Sequence, residues 1–338
     1  MMSSAFFAKP SAEKPAGTHQ VVACVDNSEH AARIIPHAYV MAEALGVPVT
    51  LLQVLEAKPT HSIRPDPIEW ELRRHEARSM LRELADDPDS AAEVPDIHLA
   101  EGPAVDEIIR FTNRQQDNLL VLGTQGENVS GRHCIGSTVR NVLDQSTDSI
   151  LLVPASASAA SPRYERIIVP LDGSPWAESV IPMAVRVARA TDAELVLVHV
   201  VPVPELTEPR PLEPEDMELR CRVIERNERT AEDYLDRLRR QLSTQGLHVR
   251  VVMKRGDNVC SALTQIVAAE AADLVIMSAR GHGSRQHSDV RYGNVTTYMM
   301  THAEMPVLIT RPHTAMQDPE VALVANHQFS RMPMVGPA

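Results

Sequence analysis

Cysteine is scarce in this sequence, and the four that occur share no CxxC spacing: Cys24, Cys134, Cys221 and Cys260. This pattern fits neither a disulfide framework nor a zinc site, and it indicates reduced thiols in the cytosol. Long apolar runs are missing too, since none approaches the roughly 18 residues that span a bilayer. The segment 1–20 has no sustained apolar run and does not resemble a signal peptide. We therefore expect a cytoplasmic protein without membrane insertion.

Positive charge is limited as well. The net charge is −12, and lysine occurs only at positions 9, 14, 58 and 254. A nucleic-acid-binding surface needs a basic stripe, so we expect no nucleic-acid partner. Aromatic residues make up only 3% of the chain, so its cores must be built from Val, Ile, Leu, Ala and Met. The length of 338 residues is enough for two domains of ordinary size.

The chain contains an internal duplication. The segment 21–54, VVACVDNSEHAARIIPHAYVMAEALGVPVTLLQV, aligns without a gap with 167–200, IIVPLDGSPWAESVIPMAVRVARATDAELVLVHV, at a constant shift of 146. Asp26 meets Asp172 and Val54 meets Val200 in this alignment. A period of this length is too long for a solenoid repeat and indicates one domain present twice.

The linker between the repeats is the small-residue stretch 155–162, ASASAASP, which is flexible by composition. We therefore predict one domain over 19–155 and a second over 163–312. The segments 1–18 and 313–338 are predicted to be tails.

Short β-branched apolar runs alternate with helical segments in both repeats. Unbroken apolar runs are typical of strands that are covered on both faces. The predicted strands are 20–25, 48–55, 95–100, 118–123, 149–153, 166–171, 194–201, 248–253, 273–278 and 306–310. The predicted helices are 29–45, 67–85, 103–115, 136–146, 175–190, 214–244, 257–270 and 293–303. The pattern predicts an α/β fold with two tandem, doubly wound, five-stranded parallel sheets and helices on both faces.

A glycine-rich stretch, GTQGENVSGRHCIGST, follows the fourth predicted strand and runs from Gly123 to Thr138. Glycines let backbone amides approach an anion closely. Gly136-Ser137 then opens a helix, whose free N–H groups and positive dipole end favour phosphate. In an open parallel sheet, ligands bind past the carboxyl ends of the strands, where the strand order reverses. The stretch therefore reads as a phosphate cradle.

The glycine spacing narrows the class of site. The sequence reads Gly123-x2-Gly126-x9-Gly136-Ser137, which is neither a Walker loop nor a GxGxxG fingerprint. It resembles the ATP-binding signature of the universal stress protein family, G-x2-G-x9-G-(S/T). The resemblance extends to the VDNS and LDGS turns, the strand ending LVHV, the EGPA turn and the closing GSTVRNVLDQSTDSILLVP. It implies an adenine nucleotide alpha hydrolase-like fold with strand order 3-2-1-4-5 in each repeat.

The resemblance also implies a role for each matched position. The residues implied around the adenosine are Cys24, Val25, Asp26 and Val54. Those implied around the phosphates and ribose are Gly123, Thr124, Gln125, Gly126, Gly136, Ser137, Thr138 and Val139. Gln125 stands where the family often has a basic residue or His, so we expect weaker charge neutralisation there, for which Arg132, His133, Arg140 or bound magnesium could compensate.

The second repeat departs from this signature. It keeps Asp172 and Val200, but Ser278 replaces the first glycine and Asn294 replaces the Ser/Thr. Eleven residues separate Gly281 from Gly293, whereas counting from Gly283 restores nine. The loop retains three arginines, Arg280, Arg285 and Arg291. We expect the first repeat to be the main nucleotide site and the second to have a pairing or regulatory role.

Simpler interpretations remain open at this stage. Asp26 and Asp172 are equally suited to end a strand in an Asx turn. His282, His287 and Asp289 share one loop, but no His-x3-His pair with a third ligand supports a metal site.

Three functions fit the sequence. The first is an ATP-binding regulatory protein of the stress response, at most a slow ATPase, with an unidentified protein partner. The second is a nucleotide-independent assembly module, in which 149–153 pairs with 306–310 to form a pseudo-dimer that dimerises again. The third is an enzyme that cleaves ATP between the α and β phosphates, although no substrate domain is visible.

Overall fold

The computed structural model describes residues 18–28, 30–56, 66–86, 94–115, 117–126, 135–157, 162–203, 213–281 and 291–311. The predicted linker centre 158–161 and both predicted tails, apart from residue 18, lie outside these ranges. No helix in these ranges is long and apolar enough to cross a membrane.

Strands and helices alternate in both halves. The first half contains β1 (Val21–Val25), α1 (Ala31–Leu45), β2 (Val49–Leu55), α2 (Pro67–Ala85), β3 (Asp96–Glu101), α3 (Ala104–Thr112), β4 (Leu119–Gly123), α4 (Ser137–Gln145) and β5 (Ser149–Val153). The second half contains β6 (Arg166–Pro170), α5 (Pro175–Glu178), α6 (Ile181–Thr191), β7 (Glu194–Pro202), α7 (Pro214–Ser243), β8 (Val249–Gly256), α8 (Val259–Ala269), β9 (Leu274–Ser278), α9 (Asn294–His302) and β10 (Val307–Thr310).

The strands form one sheet in the order β3-β2-β1-β4-β5-β10-β9-β6-β7-β8. Each half has the predicted order 3-2-1-4-5 and is parallel throughout. The two five-stranded units are not separate sheets, because β5 and β10 pair antiparallel, with Val307 opposite Leu152 and Ile309 opposite Ile150. The pairing of the two last strands was itself one of the alternatives that the sequence offered.

Each face of the sheet carries a continuous apolar core. One core packs α1, α2, α6 and α7 against the sheet, and the other packs α3, α4, α8 and α9 against its opposite face. Central strands are buried over most of their length, and in β5 all five residues are buried. This explains why their sequences are unbroken apolar runs rather than alternating ones.

One predicted helix is interrupted. The sequence predicted a single helix over 175–190, but the structure has α5 and then α6. Pro182 has no N–H to donate to the carbonyl of Glu178 and lies in the opening turn of α6, whereas the equivalent Pro36 lies inside the unbroken α1. Ser174 caps α5, since its hydroxyl accepts a hydrogen bond from the Ala177 N–H at 3.2 Å.

Polar contacts also join α1 of the first half to two parts of the second half, the segment before β6 and helix α6. His37 of α1 is 4% exposed, and its Nδ1 lies 2.6 Å from the hydroxyl of Tyr164, which precedes β6. Arg186 of α6 donates to the carbonyl of Leu45 at the end of α1, at 2.7 Å. Burial lowers the pKa of His37 to about 4, so the imidazole is neutral at physiological pH.

The His37 pKa predicts an acid-sensitive stability. An unfolded His titrates near 6.5, whereas folded His37 titrates at about 4. The unfolded chain therefore binds more protons between these values, and the free energy of unfolding falls as pH drops from about 6.5 to about 4, by on the order of 3 kcal/mol. We expect His37→Gln to flatten this part of the pH profile in urea denaturation. The exposed His75→Gln is the matched control, and an equal effect of both substitutions would contradict the assignment.

Candidate functional site

Asp26 and Asp172 occupy equivalent turns after β1 and β6. Asp26 Oδ1 accepts the Ser28 N–H at 3.0 Å, and Asp172 Oδ1 accepts the Ser174 N–H at 2.9 Å. The Ser28 hydroxyl also bonds Asp26 Oδ1. The Asx-turn interpretation is therefore correct for one carboxylate oxygen in each half. The second carboxylate oxygen of each aspartate, Oδ2, makes a different contact.

In both halves Oδ2 lies against a glycine of the loop after the fourth strand. A Cβ atom on Gly126 would lie 2.7 Å from Asp26 Oδ2, and one on Gly281 would lie 2.5 Å from Asp172 Oδ2. Real Cβ atoms do not approach so closely, so only glycine fits without movement. The structure thus brings together two segments that the sequence placed about a hundred residues apart, at the edge where strand order reverses.

The base of the loop is closed in the same way in both halves. The Gly136 N–H donates to the Thr124 carbonyl at 2.9 Å, and the Gly293 N–H donates to the Ala279 carbonyl at 2.9 Å. Together with the aspartate contact, this makes Gly281 the counterpart of Gly126. The alternative count from Gly283, which lies outside the described residues, is therefore not the structural one. The two extra residues of the second loop fall between Gly281 and Gly293.

Helix α4 begins directly at this loop with its amide end uncapped by a side chain. Gly136 occupies the N-cap position, where no side chain accepts from the first turn. The N–H groups of the first turn have no intrahelical acceptor, which leaves them available to an anion. Ser137 and Thr138 are exposed there. In the second half, α9 also follows a glycine without a side-chain cap, but it opens with Asn294.

A half-exposed apolar surface adjoins the loop. Cys24, Val54, Ala100, Ile135 and Val139 are partly buried and pack on the same core. Val25, the neighbour of Cys24, is buried on the other face. Burial raises the pKa of the Cys24 thiol to about 12, so the group is a neutral, apolar contact rather than a thiolate. Val200 lies on the corresponding surface of the second half.

The first glycine of the signature has a packing reason. A Cβ on Gly123 would lie 3.2 Å from Cδ1 of Ile34 and 3.4 Å from the Gln125 carbonyl. At the position equivalent to Ile34, the second half has Val180, which is one methyl group smaller. Ser278 is accommodated there, and its carbonyl accepts from the Thr296 hydroxyl at 2.9 Å. The Ser278 hydroxyl oxygen accepts from the backbone N–H of Arg280 at 3.3 Å, a bond that glycine could not make.

The basic residues predicted near the two loops differ in their surroundings. Arg132 and His133 lie outside the described residues, whereas Arg140 is exposed on α4. Arg280 is half-buried beside Gly281, and its N–H lies 3.3 Å from the Ser278 hydroxyl oxygen. The described residues contain no group of three or more His, Cys, Asp or Glu placed to hold a metal ion.

Gln53 is a site neighbour that sequence reasoning missed. It is 2% exposed within β2, and its Nε2 donates to Asn27 Oδ1 at 2.7 Å, which fixes the turn after Asp26. The signal was a polar residue inside the apolar strand LLQVL. Its counterpart, His199, instead bonds the Leu171 carbonyl through Nδ1 at 2.7 Å, and burial lowers the pKa of His199.

The fold and this edge define a class: a tandem α/β protein with two adenine nucleotide alpha hydrolase-like halves. The model of the universal stress protein family matches residues 17–154 and 163–311. The chain therefore belongs to the universal stress protein family, as the glycine spacing predicted.

Individual relatives agree with this assignment. A universal stress protein of Mycolicibacterium smegmatis is 26% identical over 196 residues, which are 57% of this chain and 62% of that protein. The chain thus spans less than two thirds of that relative. A universal stress protein from Archaeoglobus fulgidus DSM 4304 has a TM-score of 0.61 at 18% identity, over 88% of this chain and 97% of that one. A functionally unknown protein from Pseudomonas aeruginosa PAO1 has a TM-score of 0.59 at 12% identity, over 91% and 98%. The two structures establish likeness of fold.

The aspartate–glycine contact predicts a coupled pair of substitutions. Gly126→Ala places a methyl group 2.7 Å from Asp26 Oδ2, so we expect it to lower the free energy of unfolding by about 1–3 kcal/mol. Asp26→Ala removes the obstacle, and the double variant should recover part of that loss. A double-mutant cycle from urea denaturation measures the coupling, expected at about 0.5–3 kcal/mol. Gly281→Ala with Asp172→Ala is the matched cycle, and strictly additive effects in both would contradict the contact.

Proposed function

We propose that the first half binds ATP at the edge formed by Asp26, the Gly123–Gly126 turn and the start of α4. The observation that carries this proposal is the meeting of three elements at one point of the sheet. They are a carboxylate pressed against Gly126, a glycine-closed loop base, and a helix amide end without a side-chain cap.

The residues present fit the parts of the nucleotide. The backbone amides of Gly126 and of the first turn of α4 suit the phosphates, and the hydroxyls of Ser137 and Thr138 add donors. The apolar surface of Cys24 and Val54 suits the adenine ring. Asp26 Oδ2 suits a ribose hydroxyl, since a carboxylate accepts hydrogen bonds. Magnesium would enter with the phosphates and neutralise part of their charge.

The second half supports nucleotide binding less well. Asp172, Gly281 and Gly293 keep the framework, but Asn294 replaces the hydroxyl residue that opens the helix. Ser278 also stands where the signature has glycine. We propose that the first half is the main ATP site.

The proposed role is regulatory rather than catalytic. Members of this family are generally regulatory proteins. ATP would order the loop between Gly126 and Gly136 and so change a surface that an unidentified partner recognises. The three described cysteines are free thiols, which suits the cytosolic location proposed from the sequence.

A second candidate function is assembly without nucleotide. It is favoured by the β5–β10 pair, which already makes the chain a pseudo-dimer. A homodimer of such chains would extend the same role. A stable oligomer that never binds adenine nucleotide would support this function over the first.

Calorimetric titration of nucleotide-free protein with ATP tests the proposal, after mass spectrometry of the small molecules that the purified protein releases on denaturation. We expect an adenine nucleotide among the released molecules and a measurable heat of ATP binding. Gly136→Ala puts a methyl group beside the free amides of α4 and should weaken ATP binding by roughly tenfold. Gly293→Ala is the matched control, because the nearest atoms to its Cβ lie 3.9 and 4.0 Å away.

Three outcomes separate the candidate functions. No binding heat, together with no hydrogen-exchange protection at Gly126 and Gly136, would rule out the ATP site. An effect of Gly293→Ala alone would move the site to the second half. Release of AMP and pyrophosphate during incubation with ATP would identify the adenylating enzyme instead.

A further inference from the structure

The carbonyl end of α4 is bonded by side chains of the second half. Helix α4 ends at Gln145, so the carbonyl of Leu143 lacks the helical donor that Thr147 would have supplied. That carbonyl accepts instead from the Tyr292 hydroxyl at 2.9 Å and from Arg311 Nη2 at 3.3 Å. The second half thus provides the C-terminal cap of a first-half helix.

Two arginines of the second half lie at this end of α4, beside Asp144 of the helix's own last turn. Arg311 Nη2 also lies 2.5 Å from the Tyr292 hydroxyl, and the guanidinium carbon is 4.8 Å from the centre of the Tyr292 ring. Arg291 Nη1 lies 3.4 Å from the carbonyl of Ser146, at the same helix end. Cations at a helix C-terminus complement the negative end of its dipole.

The opposite end of α4 is the proposed phosphate site. The helix has nine residues and so spans roughly 14 Å. A side chain that fixes the C-terminal turn therefore also fixes where the amides of Ser137 and Thr138 stand. Compensating the negative end of the dipole leaves the positive end less opposed, which favours an anion there.

The residues with which the second half caps α4 are not repeated at the equivalent positions of the first half. Tyr292 directly precedes Gly293, and the residue that directly precedes Gly136 is Ile135, which has no hydrogen-bond donor in its side chain. Arg311 follows β10 directly, and the residue that follows β5 is Pro154. The first half therefore has no equivalent pair with which to cap α9.

We propose that the second half is a positioning element for the phosphate site of the first half, acting through Tyr292 and Arg311 on the C-terminal end of α4. This inference rests on the proposed ATP site. It gives the divergent second loop a role, because Arg291 and Tyr292 lie at the end of that loop and bond carbonyls at the C-terminal end of α4. In this proposal the first half binds ATP, and the second half holds α4 in position.

The test compares the affinities of the full chain for ATP and for adenosine by calorimetry. Tyr292→Phe removes one hydroxyl, and Arg311→Gln removes the charge while keeping a donor. We expect each to weaken ATP binding by roughly two- to tenfold and to change adenosine affinity much less, because adenosine lacks the phosphate charge that the amide end of α4 favours. Arg311→Lys keeps the charge and should retain most of the ATP affinity.

Two matched controls remove the same groups elsewhere. Tyr298→Phe removes a hydroxyl from α9, and Arg189→Gln removes an exposed charge from α6, where Arg189 bonds Gln245. Equal weakening of ATP and adenosine by Tyr292→Phe or Arg311→Gln would mean general disturbance and would overturn the proposal. Unchanged ATP affinity would overturn it too, while leaving the ATP site intact. Wild-type protein that binds no ATP would overturn the site itself and this inference with it.

Discussion

The antiparallel pairing of β5 with β10 is the constraint on which the rest of the structure depends. Without it, each half would end in an exposed and mostly apolar strand, which is an aggregation hazard. Pairing them buries both edges and merges two sheets into one with a continuous core on each face. It also sets α4 beside the end of the second loop, so that Tyr292 reaches the Leu143 carbonyl. The contact between the halves is therefore a consequence of strand pairing rather than an addition to it.

Much of each half could be predicted from the sequence, for a physical reason. Strands covered on both faces must be apolar throughout, so their ends were placed within one to three residues of the observed bounds. The long charged segment 67–85 was predicted as a helix with its exact bounds, and the structure shows Asp66 capping it and a proline opening it. The gap-free match of 21–54 with 167–200 supported the equivalence of the first two strands of each half. The rule that ligands bind past the carboxyl ends of parallel strands predicted the loop at the edge of the sheet where Asp26 and Gly126 meet.

What the sequence did not predict depends on contacts between distant segments. The break between α5 and α6 has no signal in the apolar period, and the equivalent Pro36 lies inside an unbroken α1. Gln53 carried only the weak signal of one polar residue in an apolar strand. Tyr292 was not singled out from the sequence. No local pattern indicates that its hydroxyl bonds the carbonyl of Leu143, 149 residues away in the other half. Side-chain partners of this kind are set by the tertiary fold and have no periodic signature.

The two halves separate what the fold requires from what a ligand would require. Both keep the aspartate–glycine contact and the same hydrogen bond at the loop base, although their loops differ by two residues in length. A steric contact of that kind holds a strand end against a loop with or without a nucleotide. The contact therefore explains the shared framework but does not distinguish a binding half from a supporting one. The distinction lies in Gly123 against Ser278, Ser137 against Asn294 and Ile135 against Tyr292. At the first and third of these places the second half has a hydroxyl that bonds protein, and at the second it lacks the hydroxyl residue of the phosphate signature.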